Sequence, residues 1–249
     1  MTIEDTIVRL PRPEPLRLGE TALFLDLDGT LAPIAARPQD VLSDPRRTSL
    51  LERLTAGLGG RMAVVSGRTL ADVDRILEGC VTPVASVHGL ALRDSDGRMT
   101  AHPPHPSLAD AAEAFRRFAA RDPGLMVEEK GLSVALHYRQ AAGQAEAARA
   151  CARALSEETG LRLQEGDMVE ELRTPGPGKG DSVAAFMDRP PFSGARPVFV
   201  GDDATDEDGF AAAQALGGLG VSVGAPRRTL ARFGLADVEA TLAWLEAAR

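Results

Sequence analysis

The sequence predicts an α/β protein in which a parallel sheet is interrupted by a smaller α+β unit. Apolar runs of strand type alternate with helical segments from residue 22 to residue 93, and the alternation resumes at residue 180. That alternation is typical of a parallel sheet with right-handed crossovers. Between the two halves the order changes to αββαββ, with Pro-rich stretches on both sides. We therefore expect a Rossmann-like parallel-sheet core with an inserted α+β (αββαββ) cap domain.

The core elements follow from apolar patterning and from helix start and stop signals. The first strand lies in the run Ala22–Leu31, and a later helix ends at Gly79. The elements expected before the insert are a helix at Pro45–Leu58, a strand at Arg61–Val65, a helix at Thr69–Leu77, and short strands at Val84–Val87 and Leu90–Arg93. Those expected after it are a helix at Gly180–Met187, a strand at Pro197–Val200, a helix at Asp206–Leu216, a strand at Leu219–Val223 and a helix at Ala236–Ala247.

The insert is expected to form a small α+β domain of its own. Its helices are predicted at Ser107–Ala120 and Ala141–Thr159, and its strands at Leu125–Lys130, Ser133–Arg139, Leu161–Glu165 and Met168–Arg173. We place the core at residues 1–104 and 176–249 and the cap at 105–175, a size within the range of small domains. Residues 1–20 are expected to form a Pro-rich arm that leads into the first strand.

Composition excludes several classes of function. The formal charge of −8 argues against a nucleic-acid or anionic-membrane surface, which would need clustered cations. No apolar run approaches a membrane span, and the N-terminus lacks the segments of a signal peptide. The two cysteines, Cys80 and Cys151, show no metal-ligand spacing and are expected to be reduced, although one disulfide stays open. We expect a cytoplasmic protein and infer no obligatory protein partner.

Five carboxylates follow strand-like runs and are the strongest functional signal. In open α/β sheets, ligands bind at the carboxyl edge of the strands. Carboxylates gathered there would repel one another unless a cation lies among them, and Mg²⁺ with oxygen ligands is the simplest choice. A carboxylate can also act as a nucleophile toward phosphorus. An Asp-Gly turn with solvated acids and an acidic helix N-terminus remain alternatives. The five are Asp26, Asp28, Asp202, Asp203 and Asp206.

Two further segments could bind a phosphoryl group. Ser66, Gly67 and Arg68 follow the second strand at the start of a helix, where a hydroxyl and backbone N–H groups suit an anionic oxygen. Lys179 lies just before a helix expected to begin near Asp181, where a lysine opposes the helix dipole unless an anion is nearby. A plain serine N-cap and a flexible linker lysine are the alternative interpretations.

Together these signals resemble the haloacid-dehalogenase (HAD)-like phosphatases, whose pattern is DxDGT, a later Ser or Thr, a Lys, and GDD with a further Asp. Within that superfamily the chain is most similar to the trehalose-6-phosphate phosphatases. Strings in the insert carry this closer resemblance, namely Glu128–Gly131 and Ala135–Arg139. Small departures from that family's pattern are Glu129, where Asp is frequent, and Arg173, where Lys is frequent.

The resemblance implies a Mg²⁺-dependent hydrolysis through an aspartyl-phosphate. Asp26 would be the nucleophile and Asp28 the general acid and base. Asp26, the backbone carbonyl of Asp28, and Asp202 would hold the metal, while Asp203 and Asp206 would orient its waters or Lys179. The residues expected to bind the phosphoryl group are Ser66, Gly67 and Lys179, assisted by the N–H of Gly29, and Arg68 is expected to bind the substrate. The residues expected to bind the sugar are Glu128, Lys130, Glu171 and Arg139.

The expected substrate is therefore trehalose 6-phosphate, released as trehalose and phosphate, with the cap covering the sugar. Two alternatives remain open at the level of the sequence. One is another sugar-phosphate phosphatase of the sucrose-phosphate or mannosyl-phosphoglycerate type. The other is a non-catalytic sugar-phosphate-binding regulatory domain, because a fold does not dictate a function.

Overall fold

The structure, a computed structural model, describes residues 9–249. The predicted N-terminal arm therefore lies partly outside the described residues. The chain divides into two compact units: one runs up to Met99 and includes Gly178–Arg249, and the other is Thr100–Pro177. The corresponding boundaries predicted from the sequence lie after residues 104 and 175.

The first unit is built on an eight-stranded sheet with helices on both faces. The strands of this sheet are β1 Thr21–Leu25, β2 Met62–Val65, β3 Val84–Ser86, β4 Ala91–Arg93, β5 Met99–Ala101, β10 Arg196–Gly201, β11 Leu219–Val223 and β12 Phe233–Leu235. They pair in the order β12-β11-β10-β1-β2-β3-β4-β5. Its helices are α1 Pro45–Gly57, α2 Leu70–Leu77, α5 Lys179–Met187, α6 Glu207–Ala215 and α7 Val238–Glu246.

The register brings the carboxyl ends of β1, β2 and β10 to one edge. Leu25, the last residue of β1, is opposite Val200 on one side and Val64 on the other, and both pairings are parallel. The backbone N–H of Asp26 then donates to the carbonyl of Val200 at 2.9 Å. The acidic residues after β1 and β10 therefore lie at the same edge of the sheet, as the sequence predicted.

Strand β1 is apolar throughout because both of its faces are buried. Leu23 and Leu25 pack into the apolar cluster on one face, whereas Ala22 and Phe24 pack into the cluster on the other. Phe24 stacks on Phe192 with ring centroids 5.5 Å apart. A central parallel strand covered by helices on both sides cannot alternate polar and apolar residues, which explains the unbroken apolar run.

The second unit is an antiparallel sheet with two helices. The strands β6 Met126–Glu129, β7 Ser133–His137, β8 Arg162–Gly166 and β9 Val169–Arg173 pair in the order β6-β7-β9-β8. Helices α3 Leu108–Ala119 and α4 Ala145–Thr159 pack on one face, where Val134, Leu136, Tyr138 and Leu172 form the core. The opposite face carries polar side chains, among them Glu128 and Glu171.

Three features differ from the sequence-based expectations. Strand β4 pairs antiparallel to β3, so the sheet is mixed at that end. The short strands β5 and β12 were not predicted. Helix α5 begins at Lys179, one residue before the predicted range Gly180–Met187 and two before Asp181.

Among residues 9–249, no helix combines the length and the apolar character that crossing a membrane requires.

Candidate active site

Lys179 joins the two acidic segments at the sheet edge. Its Nζ lies 2.8 Å from Oδ1 of Asp26 and 2.7 Å from Oδ1 of Asp206. All three side chains are buried, with side-chain exposures of 4%, 7% and 0% respectively. Buried charges are tolerated only when they are paired. The lysine thus finds the anions that its place in the first turn of α5 requires.

The carboxylates of this cluster hold more negative charge than one ammonium offsets. Burial raises the pKa of Asp26, and the neighbouring Asp206 and Asp202 raise it further against the charge of Lys179. Burial and nearby carboxylates raise the pKa of Asp202 to about 7 and that of Asp206 to about 6. Burial disfavours the charged form of Lys179, but Asp206 and Asp26 outweigh it and raise its pKa.

These side chains fit a divalent cation. Asp26, Asp202 and Asp206 each offer one carboxylate oxygen, and the three oxygens lie within 4.8 Å of one another. An all-oxygen donor set with surplus negative charge is what Mg²⁺ prefers. Asp206, which was expected only to orient water or Lys179, also contributes to this group. The carboxylate of Asp28 does not, which leaves its backbone carbonyl as the expected ligand.

Gly29 lets the loops after β1 and β10 touch. Its φ is +76°, and a Cβ at this position would lie 2.0 Å from Oδ2 of Asp202. Only glycine can therefore occupy this turn without displacing Asp202. Its backbone N–H donates to the carbonyl of Ala32 at 2.7 Å. The structure thus differs from the expectation that this N–H is available to a phosphoryl oxygen, because the turn itself uses it.

In the segment after β2, the backbone of Gly67 lies close to the imidazole ring of His88. A Cβ on Gly67 would lie 2.3 Å from the imidazole of His88. Val87 and His88 both have positive φ, at 47° and 58°, which is unusual for any side chain and more so for a β-branched one. The N–H of His88 donates to the carbonyl of Ser66 at 2.9 Å. This strained turn packs the ring of His88 against the Ser66–Gly67 backbone.

Arg68 pairs with Asp28 in this structure. Its Nε and Nη2 lie 2.6 and 2.7 Å from the two carboxylate oxygens of Asp28, and its Nη1 donates to the carbonyl of Pro38 at 2.8 Å. This bidentate arrangement is the strongest geometry for an arginine–carboxylate pair. Arg68 was expected to bind substrate, and the structure shows it orienting the expected general acid.

Asp203 is held by the loop to which it belongs. Its Oδ1 accepts hydrogen bonds from the backbone N–H of Thr205 at 2.8 Å and from the Thr205 hydroxyl at 2.6 Å. Burial acts to raise the pKa of Asp203, but the charge of Lys179 and these hydrogen bonds lower it overall. Asp203 therefore shapes the loop more than it faces the group formed by Asp26, Asp202 and Asp206.

A polar cluster occupies the strand face of the second unit. Glu128 and Glu171 are both opposite Ala135 on β7, so their side chains share one face. Glu171 accepts from the Nζ of Lys130 at 2.8 Å and from the Ser133 hydroxyl at 2.5 Å. Three of the four predicted sugar-binding residues are thus on this face. Arg139, the fourth, instead contacts the carbonyl and carboxylate of Asp167, both at 2.9 Å.

His137 and Arg227 are site residues that were not predicted from the sequence. His137 Nε2 lies 2.8 Å from Oε2 of Glu128, while the next residue, Tyr138, is fully buried on the other face. Burial acts to raise the pKa of Glu128, but His137 and Lys130 lower it overall. Ala135 is opposite Glu128, and His137 is two residues further along β7. The alternation of side chains along a strand could therefore have predicted that His137 lies on this face. No sequence pattern indicates the role of Arg227. Most of the acceptors of its hydrogen bonds are backbone carbonyls, which every residue type has.

One compositional signal was available and was missed. Lys130 and Lys179 are the two lysines of the sequence, and the other residues in the count of 28 lysines and arginines are arginine. Both lysines are buried against carboxylates. Lysine is a compact point charge, whereas arginine is a planar fork. The scarcity of lysine could therefore have drawn attention to both positions.

The fold and the sheet edge together define the class. A parallel α/β core with Asp-x-Asp after the first strand, a buried lysine, Gly-Asp-Asp and an inserted second unit is the arrangement of a HAD-like phosphatase. The C-terminal domain of Candida albicans trehalose-6-phosphate phosphatase has the same fold, with a TM-score of 0.83 at 19% identity over 95% of this chain and 96% of that one. A trehalose-6-phosphate phosphatase related protein gives a TM-score of 0.76 at 28% identity over 90% and 95%.

Sequence comparison narrows the class to one family. The family model described as trehalose-phosphatase matches residues 24–238. The chain is 38% identical to the trehalose-6-phosphate phosphatase of Escherichia coli K12, over 90% of this chain and 85% of the relative. It is 39% identical to a probable trehalose-phosphate phosphatase of Sinorhizobium fredii, over 84% and 80%. The chain therefore belongs to the trehalose-phosphatase family and is a phosphatase.

Proposed function

We propose that this enzyme hydrolyses trehalose 6-phosphate to trehalose and phosphate, with Mg²⁺, through a phosphoryl group carried by Asp26. The observation that carries the proposal is the buried contact of Lys179 with Asp26 and Asp206 at the carboxyl edge of the sheet. Family membership supports the substrate. The expected cytoplasmic location, and the expected absence of nucleic-acid, membrane and obligatory protein partners, stay predictions.

The first chemical step forms a bond between a carboxylate oxygen of Asp26 and phosphorus and breaks the bond between phosphorus and the sugar oxygen. Asp28 accepts from Arg68 through both carboxylate oxygens in this structure, and it would exchange one of those contacts for a proton and donate that proton to the leaving oxygen. The hydroxyl of Ser66 and the ammonium of Lys179 bind the oxygens of the transferred group. In the second step, Asp28 accepts a proton from water as the water attacks phosphorus, which frees Asp26 and releases phosphate.

Asp26, the backbone carbonyl of Asp28, and Asp202 would hold the metal. A bound Mg²⁺ would neutralise charge on the phosphoryl oxygens and on the surrounding carboxylates. The donor set and the raised pKa values of Asp26 and Asp202 support this assignment.

The sugar is assigned to the polar cluster of the second unit. Glu128, Lys130 and Glu171 offer charged donors and acceptors on one sheet face, and such groups hydrogen-bond sugar hydroxyls strongly when water is excluded. Arg139 stays a predicted contact, although its observed partner is Asp167.

A substrate panel tests the proposal directly. Phosphate release from trehalose 6-phosphate, sucrose 6-phosphate and glucose 6-phosphate should be fastest for the first, and a chelator should stop all three. Faster release from sucrose 6-phosphate would favour a different sugar phosphatase. Release from none of the three, with binding of trehalose 6-phosphate, would favour a regulatory domain.

Glu171→Gln tests the sugar assignment. Losing a charged hydrogen-bond partner costs about 1.5–3 kcal/mol, so KM for trehalose 6-phosphate should rise roughly 10- to 100-fold. The rate with p-nitrophenyl phosphate, which carries no sugar, should not change. Glu129→Gln, on an exposed side chain of the same unit, is the matched control.

A further inference from the structure

Arg227 lies in the loop between β11 and β12 and holds the acidic loop after β10. Its Nε donates to the carbonyl of Asp202 at 3.3 Å and its Nη2 donates to the carbonyl of Asp203 at 2.8 Å. Its Nη1 forms an ion pair with the carboxylate of Glu207, in the first turn of α6. One guanidinium therefore binds three parts of the segment that carries Asp202 and Asp206.

The geometry needs an arginine. The guanidinium presents five N–H donors in a rigid plane, whereas a lysine ammonium is a single point charge. Here donors on three different nitrogens are used toward three different acceptors. Glu207 in turn accepts from the backbone N–H of Leu230 at 2.7 Å, which links α6 back to the loop that carries Arg227. We call Arg227, Glu207 and the backbone groups that they bind the clamp. The side chains of Arg227 and Glu207 are 27% and 23% exposed, so the clamp is largely shielded from water.

The clamp completes the support of one peptide unit. The unit between Asp202 and Asp203 donates its N–H to Oδ2 of Asp206 at 3.1 Å, while its carbonyl is held by Arg227. Both ends of that unit are therefore fixed, and its orientation sets the direction of the Asp202 side chain. That side chain must reach the narrow position against Gly29 to face Asp26.

We propose that Arg227 is a positioning residue for the divalent-cation site: it preorganises the Asp202–Asp203 backbone so that the Asp202 carboxylate meets Asp26 without further ordering. This inference rests on the metal dependence in the proposed function. The described contacts of Arg227 run to backbone carbonyls and to Glu207, so it acts on the site through Asp202. Groups that orient metal ligands typically contribute 10- to 100-fold in metal affinity.

The test measures metal binding without substrate. Mn²⁺ is titrated into chelator-treated protein, and the loss of the free-ion EPR signal gives the dissociation constant for the wild type, Arg227→Lys, Arg227→Met and Glu207→Gln. We expect affinity to fall about 10- to 100-fold in both Arg227 variants, with a smaller loss in Glu207→Gln. Arg228→Met removes the neighbouring arginine of the same loop and should leave the affinity within about twofold of wild type, because the groups that orient the metal ligands stay in place.

A purely structural role would give different results. Circular dichroism and thermal unfolding at the titration temperature establish that each variant is folded, and Arg227→Lys and Glu207→Gln carry the test if Arg227→Met does not fold. In folded Arg227 variants, the Mg²⁺ concentration needed for half-maximal rate should rise while the rate at saturating Mg²⁺ returns close to wild type. Unchanged Mn²⁺ affinity in folded Arg227→Lys, or an equal loss in Arg228→Met, would overturn the inference.

The outcomes separate this inference from the proposed function. Tight Mn²⁺ binding by a wild type that does not hydrolyse trehalose 6-phosphate would reject the substrate and leave the role of Arg227 standing. A wild type that hydrolyses trehalose 6-phosphate and binds Mn²⁺, with Arg227 variants of unchanged affinity, would reject the role of Arg227 alone.

Discussion

Lys179 is the residue on which the electrostatics of the site depend. It is a buried cation between Asp26 and Asp206, and burial alone would favour its neutral form. The two carboxylates overcome that effect because each lies within hydrogen-bonding distance of its ammonium. Without that ammonium, the buried carboxylates of Asp26 and Asp206 would lack their compensating charge.

Replacing Lys179 by Met should therefore destabilise the fold as well as abolish activity. Removing one partner of a buried ion pair typically costs about 3–5 kcal/mol, because the remaining charge is left uncompensated. Chemical denaturation at neutral pH without metal would measure that loss. The double variant Lys179→Met/Asp206→Asn should recover part of the stability but none of the activity. Full stability in Lys179→Met would show that the carboxylates are not ionised around it.

Among single residues, sequence reasoning found the groups that carry charge but not all of their partners. Asp26, Asp202 and Lys179 were predicted because acids after apolar strands and a lysine at a helix start are locally unusual. The pairing of Arg68 with Asp28, 40 residues apart, depends on tertiary structure that local sequence does not encode. The same is true of Arg227, because carbonyl acceptors are common to every residue type.

The turn after β1 and the loop after β10 act as one element. Gly29 is the point of contact between them, and the Asp202 carboxylate occupies the space that a side chain would need. A positive φ alone would favour glycine at this position, and the close approach adds a steric requirement. The two requirements can be separated by experiment, because Gly97 also has a positive φ but has no such close approach within the described part of the chain.

Gly29→Ala should impair metal binding and activity, whereas Gly97→Ala should affect only stability. Gly97 has a φ of +80°, and among residues 9–249, apart from Gly97 itself and its two chain neighbours, no atom lies within 4 Å of a Cβ placed there, so its substitution adds only backbone strain. That strain is about 1–2 kcal/mol. Gly29→Ala adds a clash with Asp202 to the same strain. Thermal unfolding and Mn²⁺ titration of both variants would distinguish these effects. Equal losses of metal affinity in the two variants would contradict this interpretation.

Among the helices and strands, the long segments were predicted well, whereas two of the three-residue strands were missed. Helix α1 was expected at Pro45–Leu58 and spans Pro45–Gly57, because Asp44 caps it and Pro45 starts it. Strands β5 and β12 have three residues each, which is too short for a period to be recognised. The antiparallel pairing of β3 and β4 follows from a tight connection through His88, which leaves no room for a crossover.

At the scale of the whole molecule, the acidic character of the chain and the carboxylates of the candidate site both affect stability. The chain has a formal charge of −8, yet its active-site edge gathers more carboxylates than Lys179 alone can neutralise. Without a cation, this arrangement opposes folding as the acids ionise. A bound divalent ion should therefore stabilise the protein by binding the folded state alone.

The pH dependence of stability should reveal this coupling. The pKa of Asp202 is raised from 3.8 to about 7, so the folded state keeps a proton that the unfolded state has lost. Below about pH 4 both states are protonated at this group. Between about pH 4 and 7, the contribution of Asp202 to stability falls as pH rises, and above about pH 7 the penalty is constant. We expect the stabilisation by Mg²⁺ to be larger at about pH 8 than at about pH 5, because Mg²⁺ binds the ionised form.

Asp202→Asn provides the matched test of that pH dependence. In the absence of metal, the variant should unfold at a higher temperature than wild type at about pH 8, because a repelling charge is gone. It should also lose most of the stabilisation by Mg²⁺. Asp208→Asn, on an exposed residue nearby, should change neither property. A metal-free Asp202→Asn protein less stable than wild type under these conditions would show that Asp202 is paired rather than repelled.

The division into a core and an insert could be predicted because composition changes at the boundaries. Proline-rich stretches bound the αββαββ segment, and its two helices each carry an apolar stripe. The exact ends could not be predicted, since strand β5 continues the core sheet through Met99–Ala101 with exposed residues that carry no apolar signal. Glu128, Lys130 and Glu171 share one polar face because of the register between strands. A hairpin pattern in the sequence indicates the register within that hairpin, but not the register between β7 and β9, which belong to different hairpins.

The proposed mechanism depends above all on phosphorylation of Asp26 during turnover, and Asp28→Asn with p-nitrophenyl phosphate offers the sharpest test. The nitrophenolate leaves without a proton from Asp28, so the first step proceeds, while the attack of water on phosphorus lacks its base. Acid quenching and mass spectrometry should then find one phosphoryl group on the peptide that contains Asp26. The double variant Asp26→Asn/Asp28→Asn should show none, and Asp26→Asn alone should be folded and inactive. A phosphoryl group on another residue, or near-normal turnover by Asp26→Asn, would contradict the mechanism.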